Sequence, residues 1–356
     1  MRHPAETAAQ AAEARVLRAF PPPEAERLWR DLLGRVTRPS HYTSPEFFRE
    51  PYFDERAPFA VLAVVEGQAR AVVTGFRDGD GDGFSCGLPT RPQIQLLQDA
   101  HLPATLDTLL RGLKAAGQGS SLVSVYSWDT ALDPLRNHGF RRKQMQSVPV
   151  LDLTLGAEAL LKKCDRTRRQ AVRAAQKNGV VVSEATTEAE YLAFHEIYEQ
   201  WSRAKQLDST SWEVEQRAYR DTLGNRKLFL ARHDGRVIAG SSFRFIPGGL
   251  AEYSRNSSLP EGLALKANDA LLWHGVQWAI HAGFREMSMG ATHRFLRAWG
   301  GDPRPVYRYR LDKTLLRRHD RKEDLLEWGA ERVAKLPPEW ETKIRKALKK
   351  EKQAGW

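Results

Sequence analysis

The chain of 356 residues is too long for one ordinary hydrophobic core, so we expect two domains. Its formal net charge of +11 favours a polyanionic partner, although a solvated basic surface would give the same composition. No apolar run approaches the roughly 18 residues of a membrane span, and the start has no apolar segment typical of a signal peptide. Cys86 and Cys164 stand far apart and fit no metal-ligand spacing, which favours a reducing compartment. We therefore expect a cytoplasmic protein, at most peripheral to the inner face of the membrane.

The first half of the chain alternates strand and helix patterns. Residues 1–20 are rich in Ala and Glu and predict a loose helix, which the following prolines end. Residues 59–65 and 69–76 are apolar runs on either side of a Glu-Gly turn, which predicts a β-hairpin. The patterns that follow predict a helix over 103–116, a strand over 121–126 and a closing strand over 146–153.

A basic helical segment covers residues 157–177. Between positions 162 and 177 it holds seven Lys or Arg residues and one acid. Arg166, Arg169 and Arg173 recur at i, i+3 and i+7 and therefore share one helix face. That face would suit the phosphates of a polyanionic ligand, and the alternative is a solvated basic helix.

The second half holds the clearest succession of elements. An Asp-Gly dipeptide between two apolar runs is a strong hairpin signal, because both residues accept the positive φ of such a turn. A later helix starts after the small residues Gly262 and Ala264, and such a helix N-terminus can bind the phosphates of a ligand. The predicted elements are strands over 227–233, 236–245, 250–256 and 286–289 and a helix over 265–281.

Three stretches carry a resemblance to a known family. Residues 167–180 are a basic helix that ends in Gly before a strand, residues 229–240 hold the hairpin, and residues 289–301 contain Met-Gly followed by Arg-Phe-Leu-Arg-Ala-Trp-Gly-Gly. Their order resembles the FemAB family of peptidoglycan-bridge aminoacyltransferases and its BioF2/CelD-like relatives, within the GNAT superfamily of acyltransferases.

The resemblance implies an α/β (α+β) fold of two tandem GNAT-like units. Each would be a mixed, mostly antiparallel sheet flanked by helices. The implied domains are a degenerate GNAT-like unit in residues 1–150, a FemAB/BioF2-like GNAT domain in residues 151–312 and a basic helical tail in residues 313–356. The strand over 146–153 would be the last strand of the first unit.

The resemblance also implies an activity. It predicts transfer of an acyl or aminoacyl group from a CoA-type or tRNA-linked donor to an amine, by direct attack without a covalent enzyme intermediate. The acceptor would be a cell-envelope precursor of peptidoglycan or polysaccharide, such as a nucleotide- or lipid-linked sugar peptide. The sequence has no nucleophile elbow, no zinc-binding spacing and no Walker or dinucleotide motif. We therefore expect no metal and no tightly bound cofactor, with acyl-CoA or aminoacyl-tRNA as co-substrate.

The implied donor site lies where the third strand of the second unit leads into the following helix. Backbone N–H groups of a strand edge and of a helix N-terminus can hold phosphates and polarise a carbonyl. We expect catalytic acids and bases among Glu252, Tyr253 and Asp269, because a base must lie beside the amine with a pKa near neutrality. The expected donor-binding residues are Ser254, Arg255, Asn256, Gly262, Ala264, Lys266 and Asn268. A surface loop and helix cap is the alternative for this segment.

Two positions depart from the family's pattern. Leu259 stands where GNAT proteins carry Gln or Arg, and Leu296 stands where relatives carry Lys after Phe295. Either Arg294 or Arg297, which flank that Phe, takes over an anionic acceptor, because arginine binds phosphate in a bidentate manner, or the acceptor differs. Because of these two departures, the alternative remains that the protein keeps the fold without catalysis and binds RNA or an anionic membrane.

The end of the chain is a second basic piece. Helical patterns cover residues 321–336 and 339–352, and the latter has a narrow apolar stripe surrounded by Lys and Arg. Such a helix could lie on an anionic membrane or on RNA. Docking on its own domain is the alternative.

Overall fold

The computed structural model describes residues 12–78 and 83–333. The strands are β1 Glu13–Leu17, β2 Phe59–Val65, β3 Gln68–Arg77, β4 Gly83–Leu88, β5 Arg91–Pro92, β6 Ile94–Leu96, β7 Leu122–Ser127, β8 Arg141–Gln144, β9 Val148–Asp152, β10 Val181–Glu184, β11 Arg226–His233, β12 Arg236–Phe245, β13 Ala251–Ser258, β14 Glu286–Ser288, β15 Asp302–Arg304 and β16 Tyr307–Asp312. The α-helices are α1 Pro23–Leu33, α2 Leu102–Ala116, α3 Gly156–Lys163, α4 Arg166–Lys177, α5 Glu188–Lys205, α6 Trp212–Thr222, α7 Pro260–Ala264, α8 Ala267–His281, α9 Arg294–Arg297 and α10 Arg318–Val333.

The first sheet has the strand order β1-β2-β3-β4-β7-β16-β8, with β5 and β6 attached to its side. Strands β1 to β4 are antiparallel neighbours, and β4 runs parallel to β7. The expectation of a helix over residues 1–20 is wrong for the part that the structure describes, because Glu13–Leu17 pairs with β2. Pairing with the edge of the buried strand β2 satisfies backbone groups that a helix would leave open there. Residues 1–11 lie outside the described part.

The second sheet has the order β10-β11-β12-β13-β14-β9-β15. Its neighbours are antiparallel, except that β13 runs parallel to β14. The predicted hairpin is present as β11 and β12. Asp234 and Gly235 have φ angles of 48° and 78°, as the turn requires.

The two sheets repeat one order and exchange one strand. In each, four antiparallel strands lead to a parallel fifth, β7 or β14. The next strand comes from the other half of the chain, since β16 neighbours β7 and β9 pairs with β14. The strand predicted over 146–153 is therefore present as β9, but it does not close the first sheet. Its partners are β14 and β15, because strand pairing is decided by tertiary contacts that a local pattern does not encode.

The second sheet is covered by helices on both faces, since α8 packs with Phe229 and α5 packs with the neighbouring Leu228 and Leu230. α8 packs against β11 and β12 with Leu271, Leu272 and Val276 fully buried. α5 packs on β12 and β13. The basic segment 157–177 is two helices, α3 and α4, because Cys164 is extended between them. The mixed α/β class with two mostly antiparallel sheets flanked by helices is confirmed.

The described residues up to Arg310 form one compact unit, and those from Leu311 onward form another. The second unit contains α10, which matches the first predicted helix of the tail. The basic segment 339–352 lies outside the described residues. None of the helices in the described ranges combines the length and apolarity that crossing a bilayer requires. The boundary near residue 150 stays a prediction.

Candidate functional site

Strands β13 and β14 diverge at the centre of the second sheet. They pair in parallel only at Ala251–Met287 and Glu252–Ser288. On its other side β13 has a β-bulge, since the register with β12 passes from Tyr253 to Arg255 and leaves Ser254 without a partner position. A bulge and a divergence at the same place leave backbone groups available to a ligand. The predicted site residues of β13 all lie at this point.

Glu252 is the last residue of β13 that pairs with β14. Its side chain is 3% exposed, and Arg91 is its nearest cation, with 3.8 Å between Arg91 Nε and Glu252 Oε1. Burial raises the pKa of Glu252 to about 7, although Arg91 and Arg244 act in the opposite direction. The Oε2 atom is buried and has no hydrogen-bond partner among the described residues. A carboxyl group in this condition exchanges protons near neutral pH.

Tyr253 lies on the opposite face of the strand from Glu252, because successive strand residues alternate. Its ring packs edge-on against Phe243 in the core beneath α8. Burial raises the pKa of the phenol above its ordinary value, so the group stays protonated at neutral pH.

Asp269 lies in the first turn of α8 and is 5% exposed. Arg168 of α4 donates to its Oδ1 at 2.8 Å and lies 5.1 Å from the centre of the Phe295 ring. Burial raises the pKa of Asp269, against the lowering effect of Arg168 and Lys266. Sequence reasoning did not single out Arg168, which lies on a different face of α4 from the three arginines that it grouped.

A cavity of about 400 Å³ opens where α4 faces the start of α8. Three predicted residues, Lys266, Asn268 and Asp269, line it together with Arg168. Lys266 is exposed and precedes α8 with a φ of 63°, so its backbone is left-handed. The remaining lining residues are Thr167, Gln170, Ala171, Ala174, Leu263 and Phe295. The cavity therefore combines a helix N-terminus with two cations.

The other predicted donor residues have partners within the fold. Gly262 is buried, and a Cβ there would lie 2.7 Å from the carbonyl oxygen of Ile238, so its small size serves the packing of α7 on β12. Asn256 Nδ2 donates to the carbonyl of Gly240 at 3.2 Å. Ala264 is exposed, and Ser254 is half-buried at the bulge.

Arg255 belongs to a second charged cluster. It pairs with Glu215 of α6 and lies 4.4 Å from the centre of the Tyr198 ring. Burial would raise the pKa of Glu215, but Arg255 and Arg226 lower it to about 2. Glu215 therefore stays charged and neutralises Arg255.

The predicted basic residues lie apart from Glu252. Arg166 and Arg173 are exposed on α4, whereas Arg169 is half-buried and donates to the carbonyl of Lys162 at 3.0 Å. Arg294 and Arg297 are exposed on the short helix α9. Leu296, at the position where relatives carry Lys, is fully buried in the core.

A buried charged cluster between the two sheets escaped the sequence reasoning. Glu50 accepts from Arg244 Nε at 2.6 Å and Nη2 at 3.1 Å, and it lies 2.6 Å from His41 Nε2. Burial would raise the pKa of Glu50, but Arg244 and His41 lower it well below its ordinary value. Arg244 and Glu50 of this cluster are close enough to Glu252 to act on its pKa, Arg244 lowering it and Glu50 raising it. These residues come from distant parts of the chain, and no local motif marks them.

No group of three or more potential metal ligands occurs among residues 12–78 and 83–333.

Comparisons with known proteins concern the fold of the chain and the type of its second half. Residues 162–303 match the family described as "Acetyltransferase (GNAT) domain". No curated protein matches the sequence. Among solved structures, FemX is similar with a TM-score of 0.65 and 12% identity over 81% of this chain and 96% of its own.

Two further structures have the same fold. A tandem GNAT protein from the clavulanic acid biosynthesis pathway has a TM-score of 0.55 and 12% identity, over 85% of this chain and 99% of its own. L-PGS from Bacillus licheniformis has a TM-score of 0.53 and 14% identity, over 82% of this chain and 92% of its own. At these identities the structures show the fold, and the family match adds the class of enzyme. Residues 162–303 therefore match an acetyltransferase domain of the GNAT type, which indicates an acyltransferase, and the chain as a whole has the fold of FemX and of the tandem GNAT protein.

Proposed function

We propose that the protein transfers an acyl or aminoacyl group from a CoA-type or tRNA-linked donor to an amine, with Glu252 as the general base. The observation that carries the proposal is the position of Glu252, a buried carboxyl with a pKa of about 7 where β13 and β14 separate. A base of this pKa is deprotonated in about half of the molecules at neutral pH and still accepts a proton readily. The amine would enter beside it.

The donor would lie along the divergence of the two strands, with its phosphates at the start of α8. Lys266 and the N-terminus of α8 supply positive charge there, and Asn268 supplies an amide. The cavity of about 400 Å³ between α4 and α8 would hold part of the donor. Arg168 and Asp269 neutralise each other beside it and fix α4 against α8.

The chemistry requires no covalent enzyme intermediate. Glu252 takes one proton from the ammonium of the acceptor, and the free amine attacks the acyl carbonyl. The tetrahedral intermediate collapses, the carbon–sulfur or carbon–oxygen ester bond breaks, and a proton from the new amide nitrogen passes to the leaving group. Backbone N–H groups at the bulge of β13 would polarise the carbonyl.

The tRNA-linked donor has a specific support in the surface of α4. Arg166 and Arg173 are exposed on one helix face beside the cavity-forming residues of the same helix. Arg294 and Arg297 would bind an anionic acceptor, such as a nucleotide- or lipid-linked precursor of the cell envelope. We assign catalysis to residues 151–312, with 1–150 as a degenerate unit and 313–356 as a tail that contacts an anionic membrane from the cytoplasm.

The test measures transfer from each donor to a panel of amines. With acetyl-CoA, release of the thiol is followed at about pH 7.5 in the parent, in Glu252→Gln and in Glu286→Gln, whose carboxylate on β14 pairs with arginines. The first variant should lose a factor of about 10²–10⁴ in kcat and the second should keep its activity. Aminoacyl-tRNA replaces acetyl-CoA in the second arm. Full activity of Glu252→Gln with either donor would refute the role of Glu252. If neither donor reacts and RNA or anionic vesicles bind, the non-catalytic alternative replaces the proposal.

A further inference from the structure

Arg91 reaches Glu252 from the other sheet. It lies in β5, directly after a turn whose Thr90 hydroxyl donates to the carbonyl of Gly290 at 2.7 Å. Gly290 follows β14, so this hydrogen bond fixes the turn against the strand that diverges from β13. A Cβ on Gly290 would lie 3.3 Å from Arg91 Nη2 and 2.4 Å from the carbonyl oxygen of Tyr253. The approach of the two halves at this point therefore depends on a glycine.

The guanidinium of Arg91 uses little of its hydrogen-bonding capacity. With the described residues its five N–H donors make one long contact, to the Tyr42 hydroxyl at 3.5 Å, and the group lies 4.7 Å from the centre of the Tyr42 ring. The separation of 3.8 Å from Glu252 is too long for a hydrogen bond. Arg91 Nε is buried and has no hydrogen-bond partner among the described residues.

Arg244, which belongs to the buried cluster with Glu50, differs from Arg91 in its hydrogen bonds. It makes two hydrogen bonds to Glu50, at 2.6 and 3.1 Å, and is almost completely buried. Its Nη1 is also buried without a partner among the described residues, but the two hydrogen bonds to one carboxylate neutralise its charge within the fold. The side chain of Arg91 keeps 15% exposure, so solvent and a small molecule can reach it. Arg244 is buried and bound to a carboxylate by two hydrogen bonds, whereas Arg91 is half-buried and has no hydrogen bond to a carboxylate among the described residues, so the two arginines point to different roles.

Arg91 and Glu252 together offer a donor and an acceptor that lack partners. Arg91 Nε and Glu252 Oε2 are both buried and have no hydrogen-bond partner in the described part of the chain, while Arg91 Nε and Glu252 Oε1 form only a long ion pair at 3.8 Å. A buried polar group without a partner is costly, and the cost is removed when a ligand supplies the missing bonds. An ammonium fits Glu252 and a carboxylate fits Arg91. The short distance between the two side chains requires that both groups belong to one small part of the ligand.

We propose that Arg91 binds a carboxylate of the acceptor while Glu252 receives a proton from its ammonium group. The acceptor is then an amine that carries a carboxylate on the same carbon, as an α-amino acid does. This inference rests on the proposed function, because it gives the substrate class of the same site. The first half of the chain thereby selects the substrate that the second half acylates.

The consequence is discrimination between an amino acid and the amine that lacks its carboxylate. Without the carboxylate, the half-buried guanidinium of Arg91 would keep N–H donors that lack a hydrogen-bond partner. A site built to bind a charged group rejects the analogue without it by about 100-fold or more in kcat/KM. The reaction is unchanged in its balance, since the carboxylate takes no part in the bonds that form or break.

The experiment compares pairs of acceptors with acetyl-CoA as donor. The twenty common amino acids and their decarboxylated amines are assayed with the parent, Arg91→Gln, Arg91→Lys and Arg70→Gln. Arg70 is the matched control, a buried arginine of the same sheet that pairs with Asp99 at 2.6 Å. Arg91→Gln should lower kcat/KM for the preferred amino acid about 100-fold and leave the matched amine within about threefold, whereas Arg70→Gln should leave the ratio unchanged. Arg91→Lys keeps a charge and should retain part of the preference.

Measurements of binding test this inference separately from the proposed function. Titration calorimetry with the same acceptors on the parent and on Arg91→Gln needs no turnover. If no donor reacts but the parent binds amino acids over their amines and Arg91→Gln does not, the carboxylate site stands and the acyl-transfer proposal fails. If amines without a carboxylate react as well as amino acids, the carboxylate site is refuted and the acyl transfer stands. Equal losses for both members of a pair in Arg91→Gln and Arg91→Lys would also refute it.

Two sources could supply this chemistry, a free amino acid or the end of a larger molecule. Lysine acylated on its ε-amine by a peptide keeps the α-amine and the carboxylate together and serves as the second probe. Transfer to it at a rate similar to that for free lysine indicates an acceptor that is part of a larger molecule. Transfer to free lysine alone indicates a free amino acid.

Discussion

Replacing Glu252 with Gln should change how the stability of the protein depends on pH. The carboxyl is completely buried, and its pKa rises from 4.5 in the unfolded chain to about 7 in the folded protein. The folded state therefore holds the proton more tightly than the unfolded state does. Stability is unaffected below the unfolded pKa, falls as pH rises between the two values, and stays lower above the folded pKa.

The structure gives the size of this effect. A pKa difference from 4.5 to about 7 corresponds to about 3 kcal/mol at alkaline pH, of which about 2–3 kcal/mol develops between about pH 5 and pH 8. The charged groups that face Glu252 are Arg91, Arg244 and Glu50. The pKa of Glu50 lies well below its ordinary value, and arginine stays charged, so none of the three titrates in this range.

The assay is urea unfolding of the parent and of Glu252→Gln over that pH range. The variant should be favoured progressively as pH rises, by about 2–3 kcal/mol across the range, on top of a constant offset from the changed contact with Arg91. Tyr253→Phe is the control, because its phenol stays protonated throughout and the curves should run parallel. Parallel curves for Glu252→Gln would refute the raised pKa and with it the argument for Glu252 as base.

Three further outcomes are expected. Replacing Arg166, Arg169 and Arg173 with Ala should reduce the slope of log affinity for tRNA against log salt by about 2, because each phosphate contact releases counterions. The turnover of acetyl-CoA should stay normal in this variant. An unchanged slope would exclude α4 from binding tRNA. Glu50→Gln should lower the free energy of unfolding at neutral pH by about 3–5 kcal/mol, because it leaves a buried arginine unpaired. That loss should shrink as pH falls from the unfolded pKa of 4.5 toward the lower folded pKa, and a loss that stays constant on acidification would contradict the ion pair. Lys266→Gly should raise the free energy of unfolding by about 1 kcal/mol, because glycine adopts the left-handed backbone of this position without strain. The same change should weaken the binding of CoA, because it removes a positive charge. Weaker binding without the gain in stability would point to a folding defect instead.

The elements of the fold were predictable where the sequence pattern is local. The hairpin of β11 and β12 follows from an Asp-Gly turn between apolar runs, and the helix predicted over 265–281 is present as α8, two residues shorter at its start. The difference arises because Lys266 adopts a left-handed backbone and α7 forms before it. Periodicity identifies an element but does not fix its ends.

The sheet to which a strand belongs was not predictable. β9 has the apolar pattern of any buried strand, and nothing in that pattern says that it pairs with β14 rather than with β7. β1 shows the same limit, since its Ala- and Glu-rich context suggests a helix and its pairing with β2 overrides that preference. Both errors concern contacts between distant segments.

The residues of the candidate site also differ in whether a local sequence pattern marks them. Glu252 and Asp269 could be proposed from the sequence because they lie in or beside the segment that resembles the GNAT donor site, and their roles stay predictions. Arg91 and Glu50 were missed, because they precede Glu252 by more than 150 residues and stand in no motif. Arg255, which was assigned to the donor, instead pairs with Glu215, since a sequence does not tell which cation a buried carboxylate will neutralise.

The exchange of strands explains why residues of the first half can act on the site of the second. β9 and β16 each leave one half of the chain and complete the sheet of the other, so neither sheet closes from its own half alone. Buried pairs such as Arg244 with Glu50 add contacts that a free half would leave unpaired. The turn that carries Arg91 is therefore held against β14 by the fold itself and needs no binding event to bring it there. The first half therefore contributes a strand, one partner of a buried ion pair and a neighbouring arginine to the surroundings of Glu252.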